Sequence, residues 1–210
     1  MKNSLANLGI KPIGKLLFGL YLVGLGLAMM IHTGFGVPPW DVLSQGLQVQ
    51  TGWSFGTSAV VISGIVLLAW IPLKQQPGIG TLVNATSIGP FADLNKPLMP
   101  EIEGWLPNLL WMLLGLIIVS IGAGLYISAN LGAGPRDGMM VGLTRVSQWP
   151  FWVIRTIGES LVLLTGWLLG GTVGLGTALF AISIGTLMQL SMKWFGFDPK
   201  STSNGVKSLE

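Results

Sequence analysis

Long apolar runs separated by short polar ones organise the chain. Four stretches, 14–32, 56–73, 106–128 and 150–169, meet or closely approach the roughly 20 apolar residues that a helix needs to cross a hydrocarbon core of about 30 Å. Two more, 79–94 and 174–192, open on Gly-Ile-Gly-Thr and Gly-Leu-Gly-Thr. The second is apolar enough to span, whereas the first carries Asn84, Thr86, Ser87 and Pro90 and gains its role by its match to the second. The pattern predicts six transmembrane helices in an all-α integral membrane protein. Gly/Pro-rich stretches break the chain after the first and fourth runs. The next segments, 41–52 and 137–148, are too short to cross and are predicted as half-helices, either re-entrant or lying at the membrane surface.

The breaks are copies of one another. Gly-Phe-Gly-Val-Pro-Pro-Trp-Asp at 34–41 recurs as Asn-Leu-Gly-Ala-Gly-Pro-Arg-Asp at 130–137, an offset of 96 residues that sets Asp41 against Asp137 and Pro39 against Pro135. Without a gap, the two halves share 24 identities over the 76 positions from Gly19/Gly115 to Leu94/Leu190. About 6 would arise by chance in so Gly- and Leu-rich a chain. Three crossings per half, an odd number, turn the second copy over and predict a 3+3 inverted repeat. The expected organisation is a single membrane domain over 1–210, with repeats at 14–95 and 110–191 and a flexible cytoplasmic tail at 199–210. The run 16–31 is longer than a signal-peptide core and belongs to the repeat, so it is read as a retained first span.

Composition agrees: half the residues are hydrophobic, 9% are charged and the mean hydropathy is +0.69, against about 25% charge in a soluble domain. Basic residues then mark sidedness. With the N-terminus cytoplasmic, Lys2, Lys11, Lys15, Lys74, Arg136, Arg145, Arg155, Lys193, Lys200 and Lys207 fall inside and Lys96 outside, facing an acidic loop with Glu101 and Glu103. The net charge of +3 carries no nucleic-acid signal. With no cysteine there is no disulfide, thiolate metal site or cysteine nucleophile, and no metal or cofactor is expected. Small residues, Gly24 with Ala28, Gly26, and Ser120, Gly124 and Ser128, suit close helix packing. Trp53/Trp149 and Phe55/Phe151 are read as interface anchors.

Ionisable groups within a membrane are functional candidates because burying them is costly. Asp41 and Asp137 lead, either as N-caps of the two half-helices or as paired substrate contacts beside helix N-termini. Positions where the halves differ come next: Trp40 against Arg136, His32 against Ser128, Gly34 against Asn130, Ala59 against Arg155 and Ser63 against Glu159. Arg155 and Glu159 stand four apart and predict an intrahelical ion pair, structural or coupled to transport. Arg136 is open to two readings, recognition of a carboxylate or phosphate and a snorkelling cytoplasmic arginine. His32 is either a proton-coupling group or a solvated boundary residue. Thr81 and Thr177, with Asn84 and Gln189, either line an aqueous path or bond between helices. The candidate substrate contacts are therefore Asp41, Asp137, Trp40, Arg136, Asn130, Thr81 and Thr177, with Arg155, Glu159 and His32 as the coupling set.

Two matches are decoys. Gly52-Trp-Ser-Phe-Gly56 fits a hydrolase elbow but joins two helical segments, and Asn84-Ala-Thr fits a glycosylation signal inside a predicted span. A single histidine and scattered acids supply no convergent catalytic set, so no enzyme is expected.

The paired Gly-x-Gly-x-x-Pro-Trp-Asp and Gly-x-Gly-Pro-x-Asp signatures are each followed by Gly-Leu, then Gly-[Ile/Leu]-Gly-Thr and Ser-Ile-Gly. Over about 14–195 they resemble the YitT/YczE class of small bacterial membrane proteins. The resemblance implies a multi-span helical fold in a bacterial cytoplasmic membrane. The inverted duplication with broken helices points to a transporter or exporter of a small polar or anionic metabolite. The alternatives are an accessory protein that holds a protein partner, and lipid handling with a headgroup near Arg136. The expected partners are the bilayer and a small-molecule substrate, with a protein partner or a homo-oligomer left open.

Overall fold

The computed structural model describes residues 9–196, and its regular structure is helical throughout. Among the described residues there are eight α-helices. In chain order they are α1 (Ile10–Thr33), α2 (Pro39–Thr51), α3 (Phe55–Ala69), α4 (Ile79–Asn95), α5 (Trp105–Ser128), α6 (Pro135–Ser147), α7 (Phe151–Leu168) and α8 (Leu175–Trp194), with a short 3-10 turn at Lys96–Leu98 after α4. The expected tail at 199–210 lies outside the described residues, as do Lys2, Lys200 and Lys207.

The helix starts repeat with the sequence. Pro39 and Pro135, which open α2 and α6, are 96 positions apart, as are Phe55 and Phe151 for α3 and α7, and Ile79 and Leu175 for α4 and α8. Proline suits the first helical position because its φ is already helical and its missing N–H is not needed there. At the far ends, α1 stops at Gly34 (φ 68) and α2 at Gly52 (φ 73), both left-handed. Their counterparts Asn130 (φ 54) and Gln148 (φ 60) hold the same conformation without being glycine. Ser54, the serine of the hydrolase-like motif, caps α3 by accepting from the Thr57 N–H at 3.0 Å.

Four helices, α1, α5, α7 and α8, are long and apolar enough to cross a bilayer, and α2 with α3, bent by 115°, would make a fifth if taken as one span. This is fewer than the six expected from sequence. The run expected over 56–73 stops being helical at Ala69 because the chain turns through Ile71–Lys74 around Pro72. Its 15 residues extend about 22 Å at 1.5 Å per residue. The 17 residues of α4, with Pro90 inside, extend about 25 Å.

At the centre α1 and α5 form the most extensive helix pair. A Cβ on Gly122 would lie 2.6 Å from the Gly19 carbonyl oxygen, and one on Gly115 would lie 2.9 Å from that of Gly26. The two helices therefore run antiparallel at backbone contact, which the small-residue pattern anticipates. Helix α4 leans on α1 at Gly24, and α8 leans on α5 at Gly124. Helix α2 crosses to the other half and meets α7 where Gly46 faces Gly166, while Gly138 of α6 meets the Trp70 ring beyond α3. Each half-helix is thus held by the opposite copy.

The aromatic anchors separate. Trp53 and Trp149 are exposed, as interface residues are, but Phe55 is buried in the main core and Phe151 faces a central cavity.

Candidate functional site

The turns between long helix and half-helix shape the site. Past Gly34 the chain runs extended against the start of α8: Gly176 N–H donates to the Phe35 carbonyl at 2.7 Å, and the Thr177 hydroxyl donates to the Val37 carbonyl at 2.8 Å. The second copy repeats this against α4, with Gly80 N–H donating to the Leu131 carbonyl at 2.9 Å and the Thr81 hydroxyl to the Ala133 carbonyl at 2.7 Å. Gly36 and Gly132 are needed because any Cβ there would strike the partner threonine oxygen, at 2.6 and 2.7 Å. Both threonines are buried, so they fasten each signature to the opposite half and their hydroxyls do not face open space.

The N-caps of α2 and α6 are Pro38 and Gly134, and neither Asp41 nor Asp137 makes a capping hydrogen bond. This corrects the N-cap reading: each aspartate stands at the third helical position, because the proline before it fixes the helix start two residues earlier. There the carboxylates still oppose the positive end of the helix dipole.

Both half-helices open onto one central cavity of about 160 Å³. Helices from both copies line it. Its charged residues are Asp41, Arg136, Asp137, Arg155 and Glu159, joined by Trp40, Asn84 and Tyr126, with Val23, Leu27, Val119, Phe180, Ile184 and Met188 as apolar walls. Across the boundary between copies, Arg136 grips Asp41 with both terminal nitrogens, at 2.9 and 3.4 Å. The Asp41 side chain is 3% exposed and that of Arg136 31%. The guanidinium also lies 5.5 Å from the Trp40 ring centroid, a cation–π distance. A two-pronged, charge-assisted contact of this kind is both strong and directional. Arg136 thus meets a nearly dry carboxylate inside the protein. Arg155 and Glu159 make the expected intrahelical pair at 2.9 Å.

Asp137 belongs to neither ion pair. A Cβ built on Gly134 would lie 3.3 Å from Asp137 Oδ2, 3.4 Å from Tyr126 Oη and 3.6 Å from Asn84 Nδ2, so these three polar groups converge on one spot. Both guanidiniums of the cavity, Arg136 and Arg155, are bound to another carboxylate.

Of the candidates from sequence, the cavity gathers Asp41, Asp137, Trp40, Arg136, Arg155 and Glu159. Asn130 and His32 are outside the lining, Asn130 serving as the left-handed end of α5 and His32 standing exposed in the last turn of α1. Tyr126 was missed. It is a hydroxyl-bearing ring deep in an apolar run, where the first copy has Met30, and that mismatch was its available signal.

The family described as "Family of unknown function (DUF6198)" matches residues 10–193. The chain belongs to this family. It is 41% identical over 179 residues to an "Uncharacterized protein" of Haemophilus influenzae, covering 85% of this chain and 82% of that one. It is also 30% identical over 176 residues to the "Uncharacterized membrane protein YczE" of Bacillus subtilis, covering 83% and 82%. The YczE-like resemblance read from the signatures therefore holds. With a membrane protein among its relatives and several helices able to cross, the chain is a membrane protein. No solved structure matches it.

Proposed function

We propose that this protein is a small secondary transporter of the bacterial cytoplasmic membrane, with both termini cytoplasmic. Two three-crossing halves of opposite orientation rock about the central α1–α5 pair. The observation that carries the reading is the cavity between the copies, lined by both signatures and by five acidic or basic side chains. Charges in that setting are retained only where they meet a partner or a ligand. The repeated helix starts and the antiparallel α1–α5 crossing support the inversion. The short α3 and α4 then serve as crossings paired with the half-helices, whose free backbone ends face protein and cavity in place of lipid. The Asp41–Arg136 pair is the contact between halves that opening would break. No step of this reading is catalytic.

Purified protein in liposomes, offered a panel of labelled small polar and charged metabolites, is expected to accumulate one class of them. Arg136→Met is expected to change the rate by tenfold or more. Uptake equal to that of empty liposomes across the panel would contradict the proposal, and stoichiometric co-purification with one protein partner would then favour an accessory role.

A further inference from the structure

The charges in the cavity do not balance. Three carboxylates face two guanidiniums, and after the Asp41–Arg136 and Arg155–Glu159 pairs form, Asp137 remains. An anionic ligand would add to that excess, and like charges repel. The helix N-termini offer an anion no compensation, since each already carries an aspartate in its first turn. A cation would cancel the excess. Around the convergence point near Gly134, the Asp137 carboxylate and the Tyr126 hydroxyl oxygen can both accept hydrogen bonds from an alkylammonium, while Asn84 turns its amide nitrogen, a donor, toward the same spot.

The two copies also differ in how they close. In the first, α3 and α4 meet at backbone: a Cβ on Gly89 would lie 2.8 Å from Gly56 Cα and 2.9 Å from Ala59 Cβ, and Gly56 N–H donates to Asp93 Oδ2 at 2.8 Å. Shifted by 96, these positions read Trp152, Arg155, Gly185 and Gln189. Trp152 and Arg155 are too large for such a contact, α7 and α8 are not packed together, and Gly185 faces open space. The cavity therefore has an open seam between α7 and α8, walled by Phe151, Phe180, Ile184 and Met188.

We infer that the ligand is a primary amine with an apolar body, its ammonium held by Asp137 and Tyr126 and its body lying toward the α7–α8 seam, through which it enters from the bilayer. The inference rests on the transport reading for the fate of the bound amine, but binding itself is measurable in detergent, so the two fail separately. The test is calorimetric titration of the full chain with 2-phenylethylamine, 2-phenylethanol and phenylacetate, which share one body and differ in charge. The amine is expected to bind at least about tenfold more tightly than the other two, and Asp137→Asn to remove that preference, since a hydrogen bond to a charged group is worth about 1.5–3 kcal/mol. Tyr126→Phe, which leaves the charges in place, is expected to weaken the amine alone, and it decides the matter if Asp137→Asn does not fold. Gly185→Trp is expected to slow amine association in stopped flow while the amine preference persists. Tighter binding of phenylacetate, no amine binding at millimolar concentration, or amine affinity untouched in folded Asp137→Asn would overturn the amine site. An unchanged association rate in Gly185→Trp would overturn the seam as its entrance.

Discussion

Residue 136 shows how two copies of one sequence come to do different things. Trp40 and Arg136 are equivalent by the 96-residue offset, yet they stack on each other, and Arg136 reaches on to Asp41, the equivalent of its own neighbour Asp137. A single arginine at the boundary therefore satisfies one aspartate and leaves the other free for the cavity. Removing one member of a buried pair strands the other charge, at about 3–5 kcal/mol when both are fully buried. Arg136 is 31% exposed, which lowers the expected cost to about 2–3 kcal/mol. We therefore expect Arg136→Met to destabilise by that amount and the double variant Arg136→Met/Asp41→Leu to recover more than half of it, read from reversible unfolding in mixed micelles. Additive losses would mean that the two residues do not interact. The chemical asymmetry at this position was legible in the sequence, but its geometry was not. An offset tells which residues are equivalent, whereas contact between equivalents depends on how close each lies to the axis relating the copies.

At the scale of elements, punctuation made the fold readable. Pro39 and Pro135 start the half-helices, Gly34 and Gly52 end α1 and α2, and the Gly-x-Gly-Thr openings mark α4 and α8. What escaped was the work of the polar residues at those openings: Thr81 and Thr177 read as equally suited to lining a path or bonding, and the decisive carbonyls, Ala133 and Val37, lie 52 and 140 positions away. Asn130 likewise looked like a candidate contact because it replaces Gly34, and a positive φ accounts for its place instead. Gln148, at φ 60 where the first copy has Gly52, is a similar imperfection. A side chain in the left-handed region costs about 1 kcal/mol. Gln148→Gly is therefore expected to raise stability by about 0.5–1 kcal/mol, visible as a higher unfolding midpoint with unchanged ligand binding. A lower midpoint would show that the Gln148 amide bond to the Arg145 carbonyl outweighs the backbone cost.

For the whole molecule, the organising fact is that neither copy is complete alone. Each half-helix rests on the other half, each signature is fastened by the other half's last helix, and the cavity draws its walls from both. The duplication and its punctuation announced two copies. The open α7–α8 seam was hidden, because one sequence shows that Trp152 and Arg155 replace Gly56 and Ala59 but not that they hold two helices apart. Arg136 and Arg155, counted with the cytoplasmic basic residues, also line the cavity. The central claim, that the copies are inverted in the membrane, is tested most directly by where the chain between α3 and α5 emerges. The protein has no native cysteine, so Lys74→Cys and Leu98→Cys, both at exposed positions, can be probed one at a time with a membrane-impermeant maleimide in whole cells and inverted vesicles. We expect residue 74 to react only from the cytoplasmic side and residue 98 only from the outer side. Reaction of both from the same side would contradict the inversion and, with it, the alternating-access account.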